Sequence, residues 1–146
     1  MTPQERAERV AKRMWARDRA TAHLGATLDG VGPGTATLSF EVAPHHLNAH
    51  EICHGGYIFT LADTAFAYAC NSHNRNVVAQ QNQVTFLSPG QPGERLTAVA
   101  QETVRAGRSG TYDVTVRGSD GRVVALMRGL SRDIGGTHFE ESEEDA

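Results

Sequence analysis

A chain of 146 residues, 39% hydrophobic and 21% charged, has the size and balance of one soluble domain able to bury roughly two thirds of its unfolded surface in a single core. The formal net charge of −3 lacks the basic excess that nucleic-acid binding requires, so DNA and RNA are poor partners. No apolar run is long enough to span a bilayer, the charged start MTPQERAERVAKRMWARDRA has no secretory h-region, and two cysteines, Cys53 and Cys70, make no disulfide framework; a reducing cytoplasm is the expected compartment.

Thr2, Pro3 and Glu5 predict a helix start, with Thr2 as N-cap, Pro3 at the first helical position and Glu5 closing a capping box. The helix is expected over residues 3–19. Ala7, Val10, Ala11, Met14 and Trp15 form its narrow apolar stripe, and the Arg-rich remainder reads as a solvated face. Residues 23–29 are expected to be extended and to lead into the GVGPG turn. That turn has neither a P-loop lysine nor a dinucleotide fingerprint. Residues 35–42, TATLSFEV, alternate apolar and polar side chains as a half-buried antiparallel strand does, and Pro44 ends them.

Residues 57–70 differ from everything before them. Ile58, Phe59, Leu61, Ala62, Ala65, Phe66, Ala67 and Ala69 are apolar on almost every side of a helix, which therefore belongs in the middle of the domain. A single carboxylate, Asp63, interrupts them with Thr64 beside it. Burying a carboxylate is costly unless a partner satisfies it or a cleft uses its charge.

Residues 77–88 then read as a long strand whose Gln80, Gln81, Asn82 and Gln83 put amides on both faces, as expected beside a polar cleft or another subunit. Strands follow at 95–104, 111–117 and 122–132, the last two joined by a Ser119-Asp120-Gly121 hairpin turn. The acidic tail, residues 137–146, is expected to be disordered beyond a domain of residues 1–136. The whole is an α+β domain in which an antiparallel sheet wraps one long central helix, with an additional N-terminal helix. A sheet of this size covers only one face with that helix. Its other face or its edge needs the N-terminal helix, polar side chains or a second copy.

Gly55-Gly56 precede the central helix. Helix starts leave backbone N–H groups unpaired, and glycine lets a substrate approach them without a Cβ in the way, which outlines an oxyanion hole. Asp63 is the candidate base or nucleophile for attack on a thioester or ester carbonyl. Eight residues of helix separate it from Gly55, about 12 Å along the axis, too far to serve one carbonyl comfortably. An antiparallel second copy across a two-fold axis would bring Asp63 of one subunit to Gly55 of the other. Asn48 supplies an amide that could orient water or hold a carbonyl. His46, His50 and His54 have a metal-like spacing that needs one continuous helix, against which Pro44, Asn48 and the glycines argue; no metal or other cofactor is expected. His54 is expected to fix the helix start by hydrogen bonding through a neutral ring.

Residues 48–71, N-A-H-E-I-C-H-G-G-Y-I-F-T-L-A-D-T-A-F-A-Y-A-C-N, resemble the signature of the hot-dog-fold acyl-CoA thioesterases of the phenylacetate-degradation type, the PaaI family. The later FLSPG, TYDV, ALMRG and RDIGG stretches extend the resemblance across nearly all of residues 23–136. It implies hydrolysis of small, often aromatic acyl-CoA thioesters such as phenylacetyl- and hydroxyphenylacetyl-CoA by a homodimer joined sheet edge to sheet edge, usually paired again into a tetramer. On this resemblance the catalytic carboxylate falls on Asp63, the oxyanion amide on Gly55 and the orienting amide on Asn48, with His54 before the oxyanion glycine. Gly56, Thr64, Arg108 and Arg132 are the candidate contacts to substrate and coenzyme A. Two other activities fit an acyl-CoA site: hydration or dehydration on the same fold, and binding without catalysis.

Overall fold

The structure is a computed structural model and describes residues 1–142 of the chain. Helix α1 (Pro3–Trp15) opens with the expected capping box: the Thr2 hydroxyl accepts from the Glu5 N–H at 3.1 Å, and the Glu5 carboxylate accepts from the Thr2 N–H at 2.7 Å. It stops four residues short of the expected Arg19. Asp18 caps a separate helix, α2 (Arg19–Leu24), by accepting from both the N–H and the hydroxyl of Thr21. A short side chain that satisfies a new helix start competes with continuation of the old helix. His23 is therefore helical, and the extended segment begins only after Gly25 turns the chain at φ 80.

Strands β1 (Thr27–Gly32) and β2 (Thr35–Glu41) form the first hairpin, and a 3₁₀ turn, Pro44–His46, follows. The central helix α3 (Gly55–Asn71) precedes β3 (Val77–Phe86), β4 (Arg95–Ala106), β5 (Ser109–Arg117) and β6 (Val123–Asp133). The six strands make one antiparallel sheet in the order β1-β2-β4-β5-β6-β3. This is the hot-dog arrangement: α3 lies in the concave face, its Leu61, Ala62, Ala65, Phe66 and Ala69 fully buried against Leu38, Phe40, Ala98, Val114, Val116 and Ala125. Alanines at 98, 100 and 125 bring the sheet close to the helix axis. Gly129 goes further, since a Cβ there would stand 2.9 Å from both the Phe66 ring and the Asn82 side chain.

The two long turns at one end of the sheet are tied together. Arg122 in the hairpin before β6 forks onto Glu94, at the start of β4, and reaches the Pro89 carbonyl. These hydrogen bonds hold the Glu94 carboxyl down at about 2. Among the described residues only side chains stand over the convex face, including exposed Val99, Val104 and Leu126 and the Asp113–Arg128 ion pair. Helix α1 packs instead beside β1 and α3, where Gln4 donates to the Val31 carbonyl. β3 is an edge strand with one side unpaired. Cys53 and Cys70 are free, buried thiols, pushed up to about 11 and about 12 by desolvation.

The tail departs from the expectation of disorder over its described part. Phe139 is 5% exposed and sits beneath the Arg9 guanidinium, 4.1 Å from its ring centroid. Glu141 pairs with Arg6, and Asn74 holds the backbone of His138 and Phe139. One aromatic residue in an acidic stretch suffices, because the Arg-rich face of α1 offers it cation–π contact and gives the carboxylates a counter-charge. The tail covers only part of that face, on which Arg9, Lys12, Arg13 and Arg17 remain exposed as expected. Residues 143–146 lie outside the described residues.

Candidate active site

Helix α3 supplies both ends of the site. At its start, His54 is the N-cap, and its Nδ1 accepts from the Gly56 N–H at 2.8 Å. A Cβ on Gly56 would lie 3.0 Å from that nitrogen, so the glycine is what lets the ring close over the helix end. The N–H groups of Tyr57 and Ile58 go to the His54 carbonyl. Among the first-turn amides only Gly55 N–H has no acceptor among the described residues. The cap therefore consumes every donor except the one that the oxyanion reading needs. The Phe86 ring from β3 lies against Gly55, 3.1 Å from where a Cβ would be.

The loop before the cap is shaped by Asn48. Its Oδ1 accepts from the His50 N–H at 2.9 Å and from Ile52 N–H at 3.4 Å, which helps to hold Glu51 at a positive φ of 59. Its Nδ2 has no partner among the described residues and is the half of the amide left to donate. His46 is buried against Phe40 and Tyr57, and its carbonyl accepts from the His54 N–H. The metal-like histidine spacing thus runs through a 3₁₀ turn, a loop and a cap rather than along one helix. Among the described residues no three His, Cys, Asp or Glu side chains gather as a metal site would need.

Asp63 lies two turns further along α3, facing β3. Its Oδ1 accepts from Asn82 Nδ2 at 2.7 Å. Burial pushes its pKa up and the Asn82 hydrogen bond pulls against that rise. The other end of the Asn82 amide, Oδ1, is buried without a donor among the described residues. Asp63 lines a cavity of about 420 Å³ with Met14, Phe66, Ala67, Val78 and His138. Gly55, Gly56, Asn48 and His54 do not line it, so one chain holds the carboxylate and the glycine N–H in separate places. Sequence reasoning did not single out Asn82, because four adjacent amides carried the same signal.

The remaining sequence candidates scatter. The Thr64 hydroxyl donates to the Thr60 carbonyl at 2.6 Å and meets Thr21 of α2, away from the Asp63 cavity. Arg108 stands in the β4–β5 turn, where its carbonyl accepts from the Asp133 N–H. Arg132 is exposed and pairs in register with Val78, while Phe86 pairs with Ala125. Seven residues of strand, about 23 Å at ~3.3 Å each, separate those two positions of β6. Both arginines thus belong to the end of β6 away from Gly55.

Residues 50–125, which carry the helix start, Asp63 and Asn82, match the model of a known family, the thioesterase superfamily. The chain belongs to the thioesterase superfamily. Thioesterase relatives extend the match to both sides of that segment. The acyl-coenzyme A thioesterase PaaI of Escherichia coli is 42% identical over 127 residues, covering 87% of this chain and 91% of the relative. The solved structure of the E. coli PaaI protein from the phenylacetic acid degradation operon superposes with a TM-score of 0.92 at 40% identity, covering 93% of this chain and 99% of that one. A mutant of the phenylacetic acid degradation protein PaaI of Thermus thermophilus follows with a TM-score of 0.77 at 34% identity, covering 80% and 100%.

Proposed function

We propose that this thioesterase hydrolyses small aryl-acyl thioesters of coenzyme A at two identical sites, each shared between two copies of the chain. Cleavage of acyl-CoA thioesters as such follows from membership of the family and the likeness to the acyl-CoA thioesterase PaaI. The observation that carries the rest is the desolvated Asp63 carboxylate on the wall of an apolar cavity, with Asn82 turned onto it.

In the proposed reaction Asp63 drives attack on the thioester carbon, by taking a proton from water or by adding to the carbonyl itself. The carbonyl oxygen becomes an oxyanion and takes the free N–H of Gly55, with Asn48 Nδ2 as a second donor to water or carbonyl. In the general-base route the C–S bond then breaks and the proton held at Asp63 goes to the coenzyme A thiolate. In the nucleophilic route C–S cleavage leaves an acyl–Asp63 anhydride, which water hydrolyses to the free acid and the Asp63 carboxylate, one proton of that water going to the thiolate. Gly56 and His54 keep the donor in place through the cap. Thr64 acts through the packing of α3, and Arg108 and Arg132 remain candidates for the coenzyme A phosphates.

The shared site follows from the free edge of β3. Two β3 edges paired antiparallel about Asn82, with the extra residue between Ala79 and Gln81 counted as a bulge, would set Phe86, and with it Gly55, opposite the partner's Val77, at the rim of the partner's Asp63 cavity. Pairing of two such dimers through the convex faces would cover Val99, Val104 and Leu126.

Two measurements test the reading. In a thiol-trapping assay phenylacetyl-CoA should turn over faster than butyryl-CoA, and crotonyl-CoA should not be hydrated; preference for the aliphatic thioester removes the aryl assignment, and binding without thiol release removes catalysis. Mixing inactive Asp63→Asn and Asn48→Ala chains should restore activity, because each hybrid dimer contains one site with both groups intact. No recovery in confirmed hybrids would mean that each chain carries its own site.

A further inference from the structure

We propose that residues 134–139 form the far wall of the acyl cavity and set the largest acyl group the enzyme accepts. The inference rests on the thioesterase reading of the Asp63 cavity and adds the part that limits it.

After β6 the chain turns back on itself through Gly135 and Gly136, at φ 90 and 81, both in the left-handed region that favours glycine. This carries Ile134 and His138 over the cavity, where they line it with Met14, Phe66 and Asp63. The segment is anchored at both ends. Asn76 brackets the first: its carbonyl accepts from the Ile134 N–H at 2.9 Å, its N–H donates to the Gly136 carbonyl at 3.1 Å, and its amide donates to the Gly135 carbonyl. Asn74, itself at a positive φ of 60, holds the second: its Oδ1 accepts from the N–H groups of His138 and Phe139 and its Nδ2 donates to the Phe139 carbonyl. Phe139 is then pinned under Arg9.

His138 ties the wall to the helix that bears the catalytic carboxylate. Its Nε2 faces two acceptors, Asn71 Oδ1 at 2.7 Å and the Arg75 carbonyl at 3.1 Å, so that nitrogen carries the proton. Asn71 is eight residues beyond Asp63 on α3, about 12 Å along the axis. A wall at that depth leaves room for a ring-sized acyl group and stops a long chain. A backbone fixed by two asparagines and a buried aromatic ring behaves as a stop rather than as a mobile lid.

Ile134 is the residue to change, because at 62% exposure it can be substituted without disturbing the core. Kinetics on phenylacetyl-CoA and decanoyl-CoA should show the decanoyl-to-phenylacetyl ratio of kcat/KM rising about tenfold in Ile134→Ala and falling by a similar factor in Ile134→Trp. Phe139→Ser, which frees the second anchor, should move the ratio in the direction of Ile134→Ala. Ratios within about twofold of wild type in both Ile134 variants would overturn the wall while leaving the thioesterase reading intact. A wild-type protein that releases no thiol from any acyl-CoA would overturn both.

Discussion

Replacing Asp63 by Asn separates what the carboxylate does for chemistry from what it does to the fold. The amide keeps the shape and can still accept the Asn82 hydrogen bond, now 2.7 Å, but it can neither take a proton nor attack a carbonyl. A positioned base contributes about 10²- to 10⁴-fold, so kcat for thiol release should fall by at least ~100-fold. KM should change little, because the cavity walls and the helix start proposed to hold the substrate are untouched. Stability should move the other way. Desolvation raises the Asp63 pKa, with Asn82 only partly opposing it, so the ionised form is less favourable in the folded chain than in the unfolded one. The stability contributed by such a group is fully present below its unfolded pKa and is lost as pH rises through the raised folded value. At pH 7 the Asn variant should therefore melt above wild type, and its advantage should shrink as the pH falls towards about 4. Continuous thiol trapping with phenylacetyl-CoA and thermal melts at the two pH values measure both effects. A variant that keeps kcat within tenfold, or that melts below wild type at pH 7 by more than at pH 4, would refute this account of the site.

Asn82→Ala removes the hydrogen bond that lowers the Asp63 pKa, so the acidic limb of the kcat/KM profile should move to higher pH; an unmoved limb would assign Asn82 to packing alone. Gly56→Ala sets a Cβ 3.0 Å from His54 Nδ1 and should loosen the cap, costing about 1 kcal/mol in urea unfolding, together with turnover. For Glu94→Gln the sign is that of a depressed carboxyl: the wild-type advantage, about 1–2 kcal/mol after screening, should be full above pH ~4.5 and disappear as pH falls towards 2. Melts of both proteins across that window read it directly, and a constant difference would place the Arg122 contact outside the linkage.

Much of the site was legible before folding because it is local. The capping box at Thr2 and Glu5, the cap at His54 and the glycine start of α3 each depend on residues within three or four positions, where the chain has little choice of partner. The uniform apolarity of residues 57–70 likewise marked the buried helix and made Asp63 conspicuous. Local rules failed where two local structures competed, as at Asp18, which ends one helix by starting another. They failed also where a distant surface supplied the partner, as the Arg-rich face of α1 does for Phe139.

Asn82 shows the division most clearly. Sequence alone determined that amides would stand on both faces of the strand next to the carboxylate. Which amide meets Asp63 depends on an irregularity in the β3–β6 register between Ala79 and Gln81. One extra residue there reverses the alternation, so that Val77 and Ala79 face the helix before it and Asn82, Val84 and Phe86 face it afterwards. Without that bulge Gln81 and Gln83 would point at α3, and the Phe86 ring would leave Gly55. A bulge is a property of two paired strands, and only the folded sheet decides it.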